Sequence, residues 1–357
     1  MIHSKIDTDA IGKGIFVDQL IDDYFNAYNS ARLQESCKLL NEKILVKENN
    51  FLGVALSGAI TPTGLGKSAL VSWIHNGWID YLVATGANLY HDLHYGLNLD
   101  LHKSTPFADD NMLKDQNYVR IYDIVFKDTV LLDSDKKLAQ ILQRPEFQKR
   151  MGSAELHYKI GKIVAKIESE KGTEGATILA ACYQQGVPIF TSSPGDSTIG
   201  LALASLALRG QTAQIDPTID VNESSAIALH AKQTGKSAVL IFGGGSPKNF
   251  ILQTFPHLSE ILGIEVEGHD YFIQMTDARP DTGGLSGATP QEALTWGKVD
   301  PDGIPNSIVA YIDTTIGLPL ITSYLLNRCQ KRSGKRLYDK RTQLIEQLKK
   351  EHQKNYE

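Results

Sequence analysis

The chain has 357 residues, 42% hydrophobic and 22% charged, with 30 Gly, 13 Pro and a formal net charge of -5. That apolar content excludes intrinsic disorder, and the absence of any short period excludes fibrous and low-complexity classes. A mildly acidic chain has no basic surplus for nucleic acid, so the first expectation is a soluble protein forming one large α/β domain or two smaller ones.

Cys37, Cys182 and Cys329 are odd in number and far apart, which leaves neither a disulfide framework nor a C-x-x-C metal pair. Residues 1–9 carry acids and lack an apolar core, unlike a signal peptide. No run approaches the roughly 18–20 apolar residues that span a bilayer. The expectation is a cytoplasmic protein with no membrane or nucleic-acid partner.

Residues 17–46 read as one helix from Leu20, Ile21, Tyr24, Phe25, Tyr28, Leu39, Leu40 and Ile44. Phe51–Leu56 reads as a buried strand ending in Ser57-Gly58, followed by a helix from Leu65 to about Trp78 and a strand Tyr81–Ala84. Strand, glycine turn, helix, strand is the pattern of a parallel sheet. Residues 96–120 are polar and aperiodic, an excursion from that sheet. The alternation resumes with Val187–Phe190, the turn Ser193-Pro194-Gly195-Asp196 and a helix over 197–209. Ser237–Phe242 then runs into Gly243-Gly244-Gly245-Ser246 and another helix. Tyr271–Met275 and Ile308–Ile312 are the last strands, the latter followed by a helix from about Thr315. Residues 331–357, with Leu337, Leu344, Ile345 and Leu348 at helical spacing, read as a peripheral charged helix.

Strands that end in Gly-, Ser-, Thr- or Asp-rich turns place ligands at their carboxyl ends, where backbone N–H groups suit phosphate or pyrophosphate. The three glycines 243–245 let a pyrophosphate approach the backbone closely, although the chain has no G-x-G-x-x-G. Gly64-Leu65-Gly66-Lys67-Ser68 departs from the P-loop pattern, because Thr61 stands where that pattern needs glycine and Pro62 removes an N–H, and a plain helix start is the favoured reading over a nucleoside-triphosphate site. His91 and His94 have metal-ligand spacing without a third ligand, so no metal site is assigned. Asp196, Asp281 and Asp313 each follow a predicted strand, where a carboxylate can accept hydrogen bonds from ribose hydroxyls or simply cap a helix. Residues 281–299 run from a Gly/Ser/Thr loop through a Pro-started short helix to Trp296-Gly297-Lys298. Burial of Lys298 among apolar groups would yield the neutral amine that attacks a carbonyl or imine.

The Trp-Gly-Lys segment with its preceding loop resembles the active-site segment of the deoxyhypusine synthase family. Thr85-Gly86-Ala87, Ser193-Pro194-Gly195-Asp196, Gly243-Gly244-Gly245, Thr276, Asp281 and Asp313-Thr314 fall in the family's order, from the N-terminal helix to about residue 325. The resemblance implies an NAD-dependent transferase of the EC 2.5.1 type. Spermidine is oxidised to an imine, Lys298 takes its 4-aminobutyl group with loss of 1,3-diaminopropane, and an acceptor amine receives the group. NAD would be held by Ser57, Thr85, Gly86, Ala87, Asp196, Gly243, Gly244, Gly245, Thr276, Asp281, Asp313 and Thr314. Trp296 and Glu292 would line the amine pocket.

Several family positions differ here. His91 replaces an acidic residue and becomes a candidate acid or base, Leu201 replaces a polyamine-binding Asp, Asn249 replaces a histidine, and Gly284 replaces an Asp. This pattern resembles the bacterial deoxyhypusine synthase-like group, in which the acceptor is a small amine, as in homospermidine synthesis, or a protein lysine. The expected architecture is α/β, a doubly wound, mainly parallel sheet of Rossmann-like topology with N- and C-terminal helices. Residues 1–330, including the helical segment 1–48, would be one NAD-binding catalytic domain, assembled by resemblance as a homotetramer. The alternative is an NAD-binding protein without transferase activity.

Overall fold

The computed structural model describes residues 5–354, so the first four residues of segment 1–48 and the last three of segment 331–357 lie outside the described residues. Six strands form the main sheet: β1 (Phe51–Leu56), β2 (Tyr81–Ala84), β3 (Ile189–Phe190), β4 (Ser237–Phe242), β5 (Tyr271–Met275) and β6 (Ser307–Ala310). They are ordered β3-β2-β1-β4-β5-β6 and every pair is parallel.

The strands carry apolar residues on both faces because both faces are covered. Leu52, Val54 and Leu56 of β1 enter one core with Leu82, Leu240, Phe242 and Met275, beneath helices that include Ile178–Gln185 and Thr314–Arg328. Phe51 and Ala55 point the other way, with Val83, Ile241 and Phe272, beneath Pro217–Thr234 and Gly245–Leu252. This is the doubly wound arrangement expected from the sequence. The chain order reverses between β1 and β4, and such a switch point opens a crevice at the carboxyl edge. Register makes that edge level, since Leu56 pairs with both Ala84 and Phe242, and Met275 with both Phe242 and Ala310. Ser57, Thr85, Gly243 and Thr276 are the next residues of four neighbouring strands and so share one rim.

The polar excursion carries a small antiparallel sheet of His102–Lys103, Ile124–Lys127 and Tyr118–Ile121, outside the main one. The single helix expected over 17–46 is divided. Val17–Tyr24 ends at Phe25, and a new helix starts at Tyr28, running to Lys38 before a wider turn over Leu39–Leu45. The break lets the second helix fold back on the first, where Gln34 Nε2 donates to the carbonyls of Ile21 and Asp22 at 2.8 and 2.9 Å.

The C-terminal segment also departs from the expected peripheral helix. Helix Arg341–Gln353 is preceded by a non-helical strap laid against the amino edge of the sheet. Asp80 is the reason: its buried carboxylate caps the Leu52 amide at 2.7 Å and needs cations, which the strap supplies as Lys335 at 3.1 Å and the buried Arg332 at 3.7 Å. Leu337, Leu344 and Leu348 belong to the second core cluster rather than to a solvated face.

Candidate active site

At the switch point, the Ser57 hydroxyl accepts the Gly244 amide at 3.1 Å and donates to the Gly244 carbonyl. Gly243 sits at φ +78°, a left-handed value that favours glycine, and a Cβ on Gly244 would lie 2.4 Å from Ser286 Cα. The turn's amides are largely engaged: Gly243 N–H donates to the Met275 carbonyl and Gly245 N–H to Ser286 Oγ. Beside it lies a cavity of about 190 Å³ lined by Ser57, Thr85, Gly86, Ser193, Asp196 and Gly245. Three helices begin around it, at Gly86, Thr198 and Gly245, and helix N-termini leave backbone N–H groups for an anion. Space is open at the Cβ position of Gly245. The lining, with helix starts at Gly86 and Gly245 and one carboxylate, Asp196, fits the phosphates and a ribose hydroxyl of a dinucleotide.

A second cavity, of about 210 Å³, opens around Lys298 and is lined also by Lys248, Asn249, Leu285, Glu292 and Trp296. Local sequence rules position the lysine. Thr289 caps helix Pro290–Thr295 by accepting the Glu292 amide, and Pro290 starts it. Gly297, at φ +65°, ends it in a Schellman turn, with Lys298 N–H donating to the Ala293 carbonyl at 3.0 Å and Gly297 N–H to Leu294. On the other side the Lys298 carbonyl accepts the His269 amide at 3.1 Å. Backbone bonds thus hold the residue on both sides, and only its side chain is free to act.

Lys298 Nζ donates to Asn249 Oδ1 at 3.1 Å and lies 5.6 Å from the Trp296 ring centre. Burial lowers its pKa, against the opposing pull of Glu292 and Glu260. Trp296 is 58% exposed and forms the rim, where its face can cover an aliphatic amine chain. A partly desolvated amine in a small apolar-walled cavity is equipped for nucleophilic attack on an electrophilic carbon.

Several predicted site residues stand elsewhere. Asp313 is an exposed cap that accepts the Thr315 amide at 2.7 Å, with Thr314 as the first residue of the helix it starts. Exposed Asp281 pairs with Arg279. Thr276 is buried at the end of β5, and Ala87 lies in the first turn of helix Gly86–Gly96. Neither His91 nor Leu201 lines the Lys298 cavity. Leu201 is 63% exposed on helix Thr198–Ala207. His91 Nδ1 lies 3.1 Å from His94 Nε2, and His94 Nδ1 lies 2.8 Å from Ser134 Oγ. Burial lowers the pKa of both rings, that of His94 to about 3.

Sequence reasoning missed Lys248 and Gln274. Lys248 is 3% exposed, and its Nζ donates to Gln274 Oε1 at 2.9 Å, the Ser286 carbonyl at 3.3 Å and the Ala288 carbonyl at 2.7 Å. Gln274 Nε2 in turn donates to the carbonyls of Gly243 and Ser286 at 2.8 and 2.7 Å. These bonds tie the glycine turn to the loop leading to Lys298. The available signal was a lone amide inside the otherwise apolar strand Tyr271–Met275, because a buried polar group must find partners.

Fold and site together define a doubly wound α/β protein with one cavity at the carboxyl edge of its sheet and a second, built around a lysine, beside helix Gly245–Leu252. The deoxyhypusine synthase family profile matches residues 19–325. The chain is 56% identical over 352 residues to the deoxyhypusine synthase-like protein of Nostoc punctiforme, covering 98% of this chain and 90% of the relative. It is 55% identical over 342 residues to the protein of the same description from Thermosynechococcus vestitus, covering 95% and 85%. A solved structure from Entamoeba histolytica, described as a candidate deoxyhypusine synthase, superposes with a TM-score of 0.57 at 12% identity, over 92% of this chain and 99% of that one, and shares the fold. The chain belongs to the deoxyhypusine synthase family, a family of transferases.

Proposed function

We propose that the chain transfers a 4-aminobutyl group, in an NAD-dependent reaction, from spermidine or a related polyamine through an imine on Lys298 to an acceptor amine. The observation that carries this reading is the Lys298 amine itself, partly desolvated, hydrogen-bonded to Asn249 and walled by Trp296. Its neutral form attacks the oxidised carbon of the polyamine, the carbon–nitrogen bond to 1,3-diaminopropane breaks, and the aminobutyl group remains on Nζ as an imine. An acceptor amine then displaces Lys298. Bound NAD would supply the hydride acceptor for oxidation of the donor amine and, as NADH, the hydride donor for reduction of the product imine. Ser57, Thr85, Gly86, Ala87, Asp196, Gly243, Gly244 and Gly245 would hold it, with Thr276, Asp281, Asp313 and Thr314 farther along the same edge.

Glu292 supplies a carboxylate at the amine cavity. The exposed Leu201 and Leu208, the latter 92% accessible, favour a homo-oligomer in which a neighbouring subunit covers helix Thr198–Ala207. The acceptor is a small amine, as in homospermidine synthesis, or a protein lysine.

Incubation with NAD and spermidine should release 1,3-diaminopropane. Mass spectrometry of products from a panel of di- and triamines identifies the acceptor. The second reading, an NAD-binding protein without transfer, is favoured by Leu201, Asn249 and Gly284 at positions that carry polar or charged anchors in the family. Tight NAD binding with no amine released from any donor would decide for it.

A further inference from the structure

Two lysines face one cavity of about 210 Å³, and the hydrogen-bond acceptors that the described residues offer them are all neutral: Gln274 Oε1 and two backbone carbonyls for Lys248, and Asn249 Oδ1 for Lys298. The charged groups acting on the pair are Glu292, felt by both amines, and Glu260, felt by Lys298. Two ammonium groups held this way repel each other, and the pair gives up one proton more readily than either amine would alone.

We propose that Lys248 and Lys298 act as a proton-sharing pair in which Lys248 keeps the proton, so that its fixed positive charge holds Lys298 as the free amine. The inference rests on the reading of Lys298 as nucleophile and assigns Lys248 a positioning and electrostatic role. Burial, with the charge of Lys298 adding, pushes Lys248 down to about 8, and burial alone would free the deeper amine first. Hydrogen bonding reverses that order. An ammonium donates three hydrogen bonds and a neutral amine only two, and Lys248 has three acceptors arranged around Nζ where Lys298 has one. Hydrogen bonds to a charged group are roughly twice as strong as neutral ones. The Lys248 stem is also fixed, lying on helix Gly245–Leu252 with Nζ 5.9 Å from the Phe272 ring centre. Neutral Lys298 keeps its one bond, to Asn249 Oδ1, whereas neutral Lys248 must give up one of its three.

The test uses the full chain with neither NAD nor polyamine, so its outcome is independent of the transferase assay. Butyraldehyde condenses with a free amine: the nitrogen lone pair attacks the carbonyl carbon, water leaves, and cyanoborohydride adds hydride to the imine to fix a secondary amine. Peptide mass spectrometry then gives labelling of Lys298 against pH. Removing the neighbouring charge in Lys248→Met should raise the midpoint of Lys298 labelling by about one pH unit. Lys248→Arg, which keeps the charge, should leave it within about 0.3 of wild type. Gln274→Glu places a carboxylate against Lys248, should raise the midpoint in the same direction, and carries the test if Lys248→Met does not fold. A purely structural Lys248 predicts unchanged midpoints. The proposal is overturned if Lys248→Met and Gln274→Glu both stay within about 0.2 of wild type, or if wild type labels mainly at Lys248. Failure of spermidine turnover alone would touch the transferase reading and leave the pair intact.

Discussion

The Ser57 hydroxyl bridges to both polar ends of the Gly244 peptide residue, accepting its amide at 3.1 Å and donating to its carbonyl. Ser57 follows β1 and Gly244 follows β4, so this one side chain closes the switch point between the two halves of the sheet. Ser57→Ala removes both bonds without adding bulk. A net loss of about 1–2 kcal/mol is expected for the turn, read as roughly tenfold weaker NAD binding by calorimetric titration. Unaltered affinity would show that the turn holds its shape without Ser57.

The sheet was legible because its strands are short apolar runs closed by Gly, Ser or Thr. Phe51–Leu56, Tyr81–Ala84, Ser237–Phe242 and Tyr271–Met275 appear with the expected bounds. The lysine turn was legible too, since Thr289, Pro290 and Gly297 are local cap signals around Lys298. What stayed hidden depends on distant partners. Lys248 meets Ser286 and Ala288 about forty residues away in sequence, and Asp80 meets Lys335 255 residues away. Periodicity reports a local face and is silent on such pairs. The break at Phe25 is similar, for the helical pattern continues across it while Gln34 bonds back to Ile21 and Asp22.

Lys298→Ala should abolish transfer and spare the cofactor. Release of 1,3-diaminopropane should fall by about a hundredfold or more, because the covalent route is lost. NAD affinity should change by less than about twofold, since Lys298 does not line the cavity beside Ser57. On the proposed mechanism the neutral amine is the reactive form, so kcat/KM should rise with pH and level off below the ordinary lysine value of 10.5. A flat profile over that range would argue against amine attack.

Asp80 supports the opposite edge of the sheet. Its carboxylate receives the Leu52 amide and both strap cations, all within the interior. Asp80→Ala strands the buried Arg332 cation, the partly buried Lys335 cation and a strand amide, a class of change that costs about 3–5 kcal/mol. Lys335→Met removes a cation while Arg332 remains, and should cost clearly less. Urea denaturation of the two variants gives the comparison. Equal losses would mean that Arg332 does not contribute to compensating Asp80.

Asp220 ties helix Pro217–Thr234 to helix Ser153–Lys171, accepting the Ser153 amide at 2.7 Å while its second oxygen is buried with no hydrogen-bond partner among the described residues. Burial pushes its pKa from 3.8 up to about 7, so the folded chain holds a proton there that the unfolded chain has already released. Stability from this site is therefore complete below about pH 4 and is lost as pH rises through 7. Asn at this position keeps an amide-accepting oxygen and cannot titrate. The stability of wild type relative to Asp220→Asn should fall by roughly 4 kcal/mol between pH 4 and pH 8, as measured by urea unfolding at several pH values. Parallel curves for the two proteins would show that Asp220 is ionised throughout, with a partner for its second oxygen.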